Sequence, residues 1–385
     1  MKRTTPGSQA SLRESNGRRV LEVLRLYGSL TQAEIARRTG LSPATVSNIV
    51  GQLREAGTVE VSPTSAGGRR AVSVAISQRA GLVLGLDFGH SHLRVALGDL
   101  SHRVIAEDKI DIDVDHRAEE GMVAAARLVD GLLARAEVDR AAVIGVGMGL
   151  PGPIDATSGA VGSSAILPGW VGVPAAAAMA ERLGLPVRVD NDANLGALAE
   201  FTWGAGRGVS DLAYIKAATG IGGALVINGR LHHGRSGTAG EIGHTMLDET
   251  GPVCRCGNRG CLETFVGAPV LLSLLRMSHG PDLTVPGLLA RAMSGDAGCQ
   301  RVIADAGRAI GVAVANLCNL VNPSRVVVGG ELAAAGDVLL DPLREVVGRF
   351  AIPAAVPEIV GGILGERAEV LGALALVLRE TDAVL

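Results

Sequence analysis

Cys254, Cys256 and Cys261 fall within the run Cys254-Arg255-Cys256-Gly257-Asn258-Arg259-Gly260-Cys261, and His244 lies a short way upstream. One imidazole and three thiolates make up the ligand set of a closed tetrahedral zinc site, and the glycines let a chain wrap an ion. No coordination position is left for water, so such a zinc is structural rather than catalytic. Any fold adopted by this chain must bring His244 and the cysteine run to one point, stiffening a loop with Glu241 on one side and Glu263 on the other. A disulfide is the competing reading. Three clustered cysteines cannot all pair internally, and the polar start from Met1 to Ser15, lacking an apolar stretch for a signal peptide, implies a reducing cytoplasm. Cys299 and Cys318 sit in helical patterns and read as buried apolar residues.

At 385 residues the chain is too long for one ordinary core. Its longest apolar runs, such as Val370 to Leu378, fall short of a membrane span. The formal charge of -3 hides a division. Residues 1–75 carry 11 Lys or Arg against 5 Glu, whereas the remainder carries 25 basic and 34 acidic residues. A small basic module attached to a larger acidic body points to nucleic-acid contact at one end.

The basic module reads as a winged helix-turn-helix over 15–78, after a flexible tail at 1–14. Val20, Leu21, Val23, Leu24 and Tyr27 share one helical face between Asn16 and Tyr27, and Gly28 ends it. Thr31-Gln32-Ala33-Glu34 is a capping box that starts a second helix through Thr39. Ser42 can cap a third helix, with Pro43 first and Val46, Ile49, Val50 and Leu53 as its buried stripe. Ser42, Ala44, Thr45, Ser47, Asn48 and Gln52 are then left to approach base edges in a major groove. A hairpin follows, with strands Thr58 to Val61 and Ala71 to Ile76 and a turn over Pro63 to Gly68. At its tip Arg69 and Arg70 suit phosphates or a narrow minor groove.

The acidic body, 79–385, alternates strands and helices with glycine turns. Leu82 to Phe88, the turn Gly89-His90-Ser91, and the strands Leu93 to Gly98 and Val104 to Ile112 form one hairpin set; Leu212 to Ala217, the turn Ala218 to Gly222, and Gly223 to Ile227 form another of the same design. Two such sets predict a duplicated fold with a cleft between lobes, near 190–263. Turn N–H groups there could hold phosphates, with Asp87 on a hydrated Mg²⁺. The strand Val187 to Val189 runs into Asp190-Asn191-Asp192-Ala193-Asn194 and a helix from Leu195. A carboxylate in that place could accept a proton from a substrate hydroxyl. Alternatively Asp190 or Asp192 caps the helix, which the segment alone favours. Arg325 to Val328 ends in Gly329-Gly330, a turn able to pass close to a base.

Gly240-Glu241-Ile242-Gly243-His244, the cysteine run through Glu263, Asn191-Asp192-Ala193-Asn194, Ala218 to Gly223 and the N-terminal module together resemble the ROK family of repressors and sugar kinases over essentially the whole chain. The resemblance implies an α/β, two-lobed, actin-like and hexokinase-like body of ribonuclease H-like type behind the winged helix-turn-helix. It further implies that Gly152, Asn191, Asp192, Glu241, His244 and Glu263 contact a sugar, with the other nitrogen of His244 on zinc. In the family's kinases the aspartate matching Asp192 is the general base. Asp87, Gly89, Ser91, Thr219, Gly220, Gly222 and Gly329 would form the ATP and Mg²⁺ end.

This chain departs from the kinase pattern at that end. His90 stands at the second glycine of Asp-x-Gly-Gly-Thr, and Ala218 replaces a usual glycine. Bulk at position 90 restricts backbone approach to phosphate. The expectation is therefore a cytoplasmic, sugar- or phosphosugar-responsive repressor binding a double-stranded operator as a homodimer or homotetramer. The alternative is an ATP-dependent sugar kinase with a DNA-binding appendage.

Overall fold

The computed structural model describes residues 9–66, 69–77, 81–112, 117–155, 158–162 and 167–381. Its N-terminal module runs α1 (Gln9–Tyr27), β1 (Leu30–Thr31), α2 (Gln32–Thr39), α3 (Pro43–Glu55), β2 (Val59–Ala66) and β3 (Arg69–Ile76). Local chemistry accounts for most boundaries. Thr31 N donates to Glu34 Oε2 at 2.8 Å while Glu34 N donates to Thr31 Oγ1 at 3.3 Å, closing the capping box. Gly40, at φ +69°, ends α2 in the left-handed conformation that favours glycine. Ser42 accepts from Thr45 N at 3.1 Å and Pro43 opens α3, whose Val46, Ile49, Val50 and Leu53 are buried.

Two expectations shift here. Helix α1 begins at Gln9, so part of the expected tail is helical; Met1 to Ser8 lie outside the described residues. Gln9 to Glu14 contains no Gly or Pro to stop a helix. The wing's turn also shrinks, because Pro63 pairs with Val72 and Ser65 with Arg70. Strand β2 is at the sheet edge in the order β1-β3-β2, where a proline's missing N–H is tolerated. Gly67 and Gly68 lie outside the described residues.

In the body, β4 (Leu82–Phe88), β5 (His92–Asp99) and β6 (Val104–Asp111) are antiparallel, and β7 (Val143–Leu150) and β8 (Val187–Asn191) add in parallel, giving β6-β5-β4-β7-β8. Helices α4 (Ala118–Arg135) and α5 (Ala175–Leu183) pack on this sheet. Helix α6 (Asp192–Thr202) leads to the second lobe, where β9 (Leu212–Ala217), β10 (Ile221–Ile227), β11 (Arg230–Leu231), β12 (Arg325–Gly329) and β13 (Glu358–Gly361) follow the same plan, β11-β10-β9-β12-β13. The duplication expected from the two glycine-turn hairpins is thus a repeated five-stranded topology.

Helices α7 (Glu263–Val266), α8 (Ala268–His279), α9 (Val285–Met293), α10 (Ala297–Val321) and α11 (Asp337–Phe350) belong to the second lobe. Cys299 and Cys318 are fully buried in its core, as the sequence predicts. The last helix, α12 (Ala368–Thr381), crosses back onto the first sheet and α6. A Cβ at Gly147 would strike the Ala373 carbonyl, and one at Gly372 would strike that of Leu195, so these glycines permit the close approach. One buried apolar cluster continues from Val20, Ile35, Val50 and Val74 of the N-terminal module to Leu371, Leu374 and Leu378 of α12. No described helix is long and apolar enough to cross a membrane.

Candidate functional site

His244 ends a short 3-10 turn, Ile242–His244, and the cysteine loop folds back beside it through bridges pairing Met246 with Cys261 and Val253 with Arg259. The ligand atoms of His244, Cys254, Cys256 and Cys261 all lie within 4.8 Å of one another. Cys254 Sγ is 3.6 Å from His244 Nδ1, and Cys256 Sγ is 3.7 Å from Cys261 Sγ. Gly260, at φ +61°, passes so close to the Asp248 carbonyl that no Cβ would fit. Burial and its two thiol neighbours push Cys261 up to about 12 and burial also raises Cys254, whereas the Asn258 N–H lowers Cys256, so Cys261 must give up a proton to bind a cation. The donor set fits a metal ion. A second group, His279, Asp296 and Cys299, has a structural explanation: Asp296 caps α10 through Cys299 N at 2.9 Å and also bonds His279 Nε2 at 3.0 Å.

The other nitrogen of His244, Nε2, lies 3.8 Å from Glu241 Oε2. Burial raises the Glu241 carboxyl above its usual range; His244 opposes the rise, and Asp192 and Glu263 add to it. Glu263, at the start of α7, accepts from Arg255 Nη2 at 2.7 Å and Ile221 N at 3.1 Å. Asn191 Nδ2 donates to the Gly152 carbonyl at 2.8 Å. The cap of α6 is Asn191 itself, whose Oδ1 accepts from Ala193 N at 2.8 Å, so the expectation of an Asp190 or Asp192 cap is corrected. Asp190 is instead held by Asn194 Nδ2 and His233 Nε2, at 2.7 and 2.8 Å. Asp192 Oδ2 is 2.9 Å from Lys216 Nζ, which is equally close to Glu369 Oε1. Gly152 and Asn191 are thus bonded to each other, and Glu241 stands close to His244, Asp192 and Glu263.

The expected nucleotide end is differently furnished. Asp87 Oδ2 is 3.1 Å from His92 Nε2, and the His92 ring lies where a Cβ on Gly89 would sit. His90 is exposed, so the imidazole beside Asp87 is that of His92. Ser91 is exposed and its carbonyl accepts from Ile112 N at 3.1 Å. Gly220 makes room for Glu263, whose Oε2 would be 2.5 Å from a Cβ there. Gly222 is approached by the Ala193 methyl, Gly329 by the Tyr214 ring, and Thr219 by the turn at Gly267. Protein side chains thus take much of the space that glycine leaves.

A family model described as the ROK family matches residues 83–380. The chain belongs to the ROK family. A MarR family model matches residues 18–71, over the winged helix module. The xylose repressor of Caldicellulosiruptor bescii is 30% identical over 391 residues, covering 97% of this chain and 98% of that protein. The glucokinase of Halalkalibacterium halodurans is 33% identical over 322 residues, covering 78% of this chain and 96% of its own. The crystal structure of a ROK family transcriptional regulator homologous to the E. coli Mlc protein shares the fold, with a TM-score of 0.79 at 24% identity over 96% of this chain and 97% of that one.

On the DNA-binding module of this ROK protein, Ser42, Ala44, Ser47, Asn48 and Gln52 are exposed on one side of α3 and Thr45 is half-buried. Ser42 and Thr45 are also bonded to each other, Oγ to Oγ1 at 2.8 Å. Arg69 and Arg70 pair by backbone with Ala66 and Ser65; their side chains lie outside the described residues. Sequence reasoning missed Lys216, Glu369, His92, Arg255 and the Asp190–His233 pair. One signal was available, since Lys216 is among only three lysines and interrupts an apolar strand.

Proposed function

We propose that this ROK protein is a sugar-responsive transcriptional repressor that binds a double-stranded operator through α3 and the wing. The observation that carries the reading is the joint presence of a winged helix module and a ROK body in a chain that aligns with a xylose repressor over nearly the full length of both. In this reading Gly152, Asn191, Asp192, Glu241, His244 and Glu263 hold the sugar. Zinc is held by His244 Nδ1 and the thiolates of Cys254, Cys256 and Cys261. It supplies a rigid anchor, leaving His244 Nε2 directed at Glu241 and the sugar. The carboxylates accept hydroxyl hydrogens, and a closing cleft bears on α12, whose apolar residues share a cluster with the DNA-binding module. Sugar shifts DNA affinity only if it binds the two lobe arrangements unequally. A homodimer or homotetramer would present two recognition helices to half-sites about one helical turn apart.

The test is binding to DNA from upstream of its own gene and neighbouring sugar genes, titrated with salt and with sugars. Salt-sensitive, sequence-specific binding modulated by one sugar is the expected result; its absence across those fragments would overturn the reading. The second reading is an ATP-dependent sugar kinase with Asp192 as general base, favoured by the likeness to the glucokinase. Lys216 on Asp192 and His92 on Asp87 weigh against it.

A further inference from the structure

The charges around the cleft discriminate between effectors, on the reading that the cleft holds a sugar. Asp87, Asp190, Asp192, Glu241, Glu263 and Glu369 bring six carboxylates to this region. Among the described residues, two permanent cations are bonded to them, and both are engaged: Lys216 by Asp192 and Glu369, each at 2.9 Å, and Arg255 by Glu263 at 2.7 Å. His233 and His92 are turned to Asp190 and Asp87. The N-terminus of α6, a natural anion site, is also taken. Asn191 Oδ1 accepts from Ala193 N at 2.8 Å and Asn194 N at 3.4 Å, and Asp192 Oδ1 also lies 2.8 Å from Ala193 N.

We propose that the cleft takes an uncharged sugar and rejects the phosphate ester of the same sugar, and that Glu369 sets this preference by consuming the charge of Lys216. A phosphate needs unspent Arg or Lys donors or free backbone N–H groups. Here it meets surplus negative charge in a partly desolvated cleft, where like charges are poorly screened. Sugar hydroxyls have the opposite requirement, because each donates a hydrogen that an ionised carboxylate accepts. Glu369 lies in the first turn of α12 and is almost wholly buried; burial raises its carboxyl above the usual range and Lys216 opposes that rise, so the ion pair at 2.9 Å directs its charge onto Lys216 rather than onto solvent. Burial disfavours the Lys216 ammonium, yet Asp192 and Glu369 hold it charged, well above the ordinary lysine range.

The experiment uses the full chain and reads thermal shift and calorimetric affinity for glucose, xylose and N-acetylglucosamine beside glucose 6-phosphate, xylose 5-phosphate and N-acetylglucosamine 6-phosphate. The expected result is that one free sugar binds and its ester binds at least about tenfold more weakly. An ester that binds equally or more tightly overturns the proposal while leaving the sugar-responsive reading intact. Silence from all six overturns that reading and the proposal with it. Glu369→Gln keeps the shape and releases part of the Lys216 charge, so the gap between sugar and ester should narrow; Lys216→Gln should widen it. An unchanged gap in both variants removes the role given to Glu369. Should either variant fail to fold, the wild-type comparison still decides the preference for an uncharged ligand.

Discussion

Lys216 Nζ lies 2.9 Å from Asp192 Oδ2, joining β9 of the second lobe to the first turn of α6. The carboxylate that would take a proton from a sugar hydroxyl is already an ion-paired acceptor, and the same ammonium is shared with Glu369 of α12. A general base needs its lone pair directed at the proton it abstracts, and this pairing competes for it. Purified protein with Mg²⁺, ATP and a panel of hexoses and N-acetylhexosamines should therefore show no phosphorylation in a coupled assay. Turnover that disappears in Asp192→Asn would establish the kinase reading instead.

Metal content offers a separate check. Elemental analysis of the full chain should find zinc, and Cys261→Ser should lose it. Cys261 is fully buried among the other candidate ligands, so its replacement would remove one of the four donors from the interior of the group. Its thiol, pushed up to about 12 without metal, must give up a proton to bind, so affinity for zinc should fall as pH is lowered. The variant should melt below wild type, because a metal that binds only the folded chain stabilises it. Zinc retained at full stoichiometry in Cys261→Ser would sink the assigned ligand set.

His233 gives a pH signature. Its hydrogen bond to Asp190 raises the imidazole above its ordinary value of 6.5, against the opposing effect of burial. A raised folded value means that the stabilising contribution is fully present below about 6.5 and is lost as pH rises through the folded value. Melting curves of wild type and His233→Asn should accordingly differ most below pH 6.5 and converge at alkaline pH. A difference that grows with pH would show that the pair does not act in this sense.

On the proposed DNA-binding face, Asn48 and the wing arginines should fail differently. Asn48→Ala removes an amide suited to a base edge and should cost about 1–3 kcal/mol on the preferred operator while relaxing its sequence preference. Arg70→Ala should weaken binding nearly uniformly across sequences and lower the salt slope by about 1. Fluorescence anisotropy against the operator and a scrambled duplex, over a range of salt, separates the two. Equal losses on both duplexes for Asn48→Ala would remove that residue from base readout.

Much of the architecture was legible along the chain. The Thr31–Glu34 box, the Ser42-Pro43 start, the stripe Val46, Ile49, Val50 and Leu53, and the two glycine-turn hairpins all depend on partners a few residues apart. The cysteine run and its histidine were likewise visible, because their spacing is close enough for one loop to deliver the ligands. The α6 cap was misassigned by one position because Asp190, Asn191 and Asp192 all cap well, and only the strand's exit direction selects Asn191.

Sequence by itself determined the two-part plan, a basic reader of DNA ahead of an acidic duplicated body, because charge, periodicity and caps are properties of neighbouring residues. Tertiary structure alone decided which side chains meet at the candidate site. It turned His92 rather than His90 onto Asp87, placed Glu263 against Gly220, and brought Lys216 between Asp192 and Glu369. Those partners come from separate elements, so their distances follow from how β9, α6 and α12 pack and are not encoded in any local spacing.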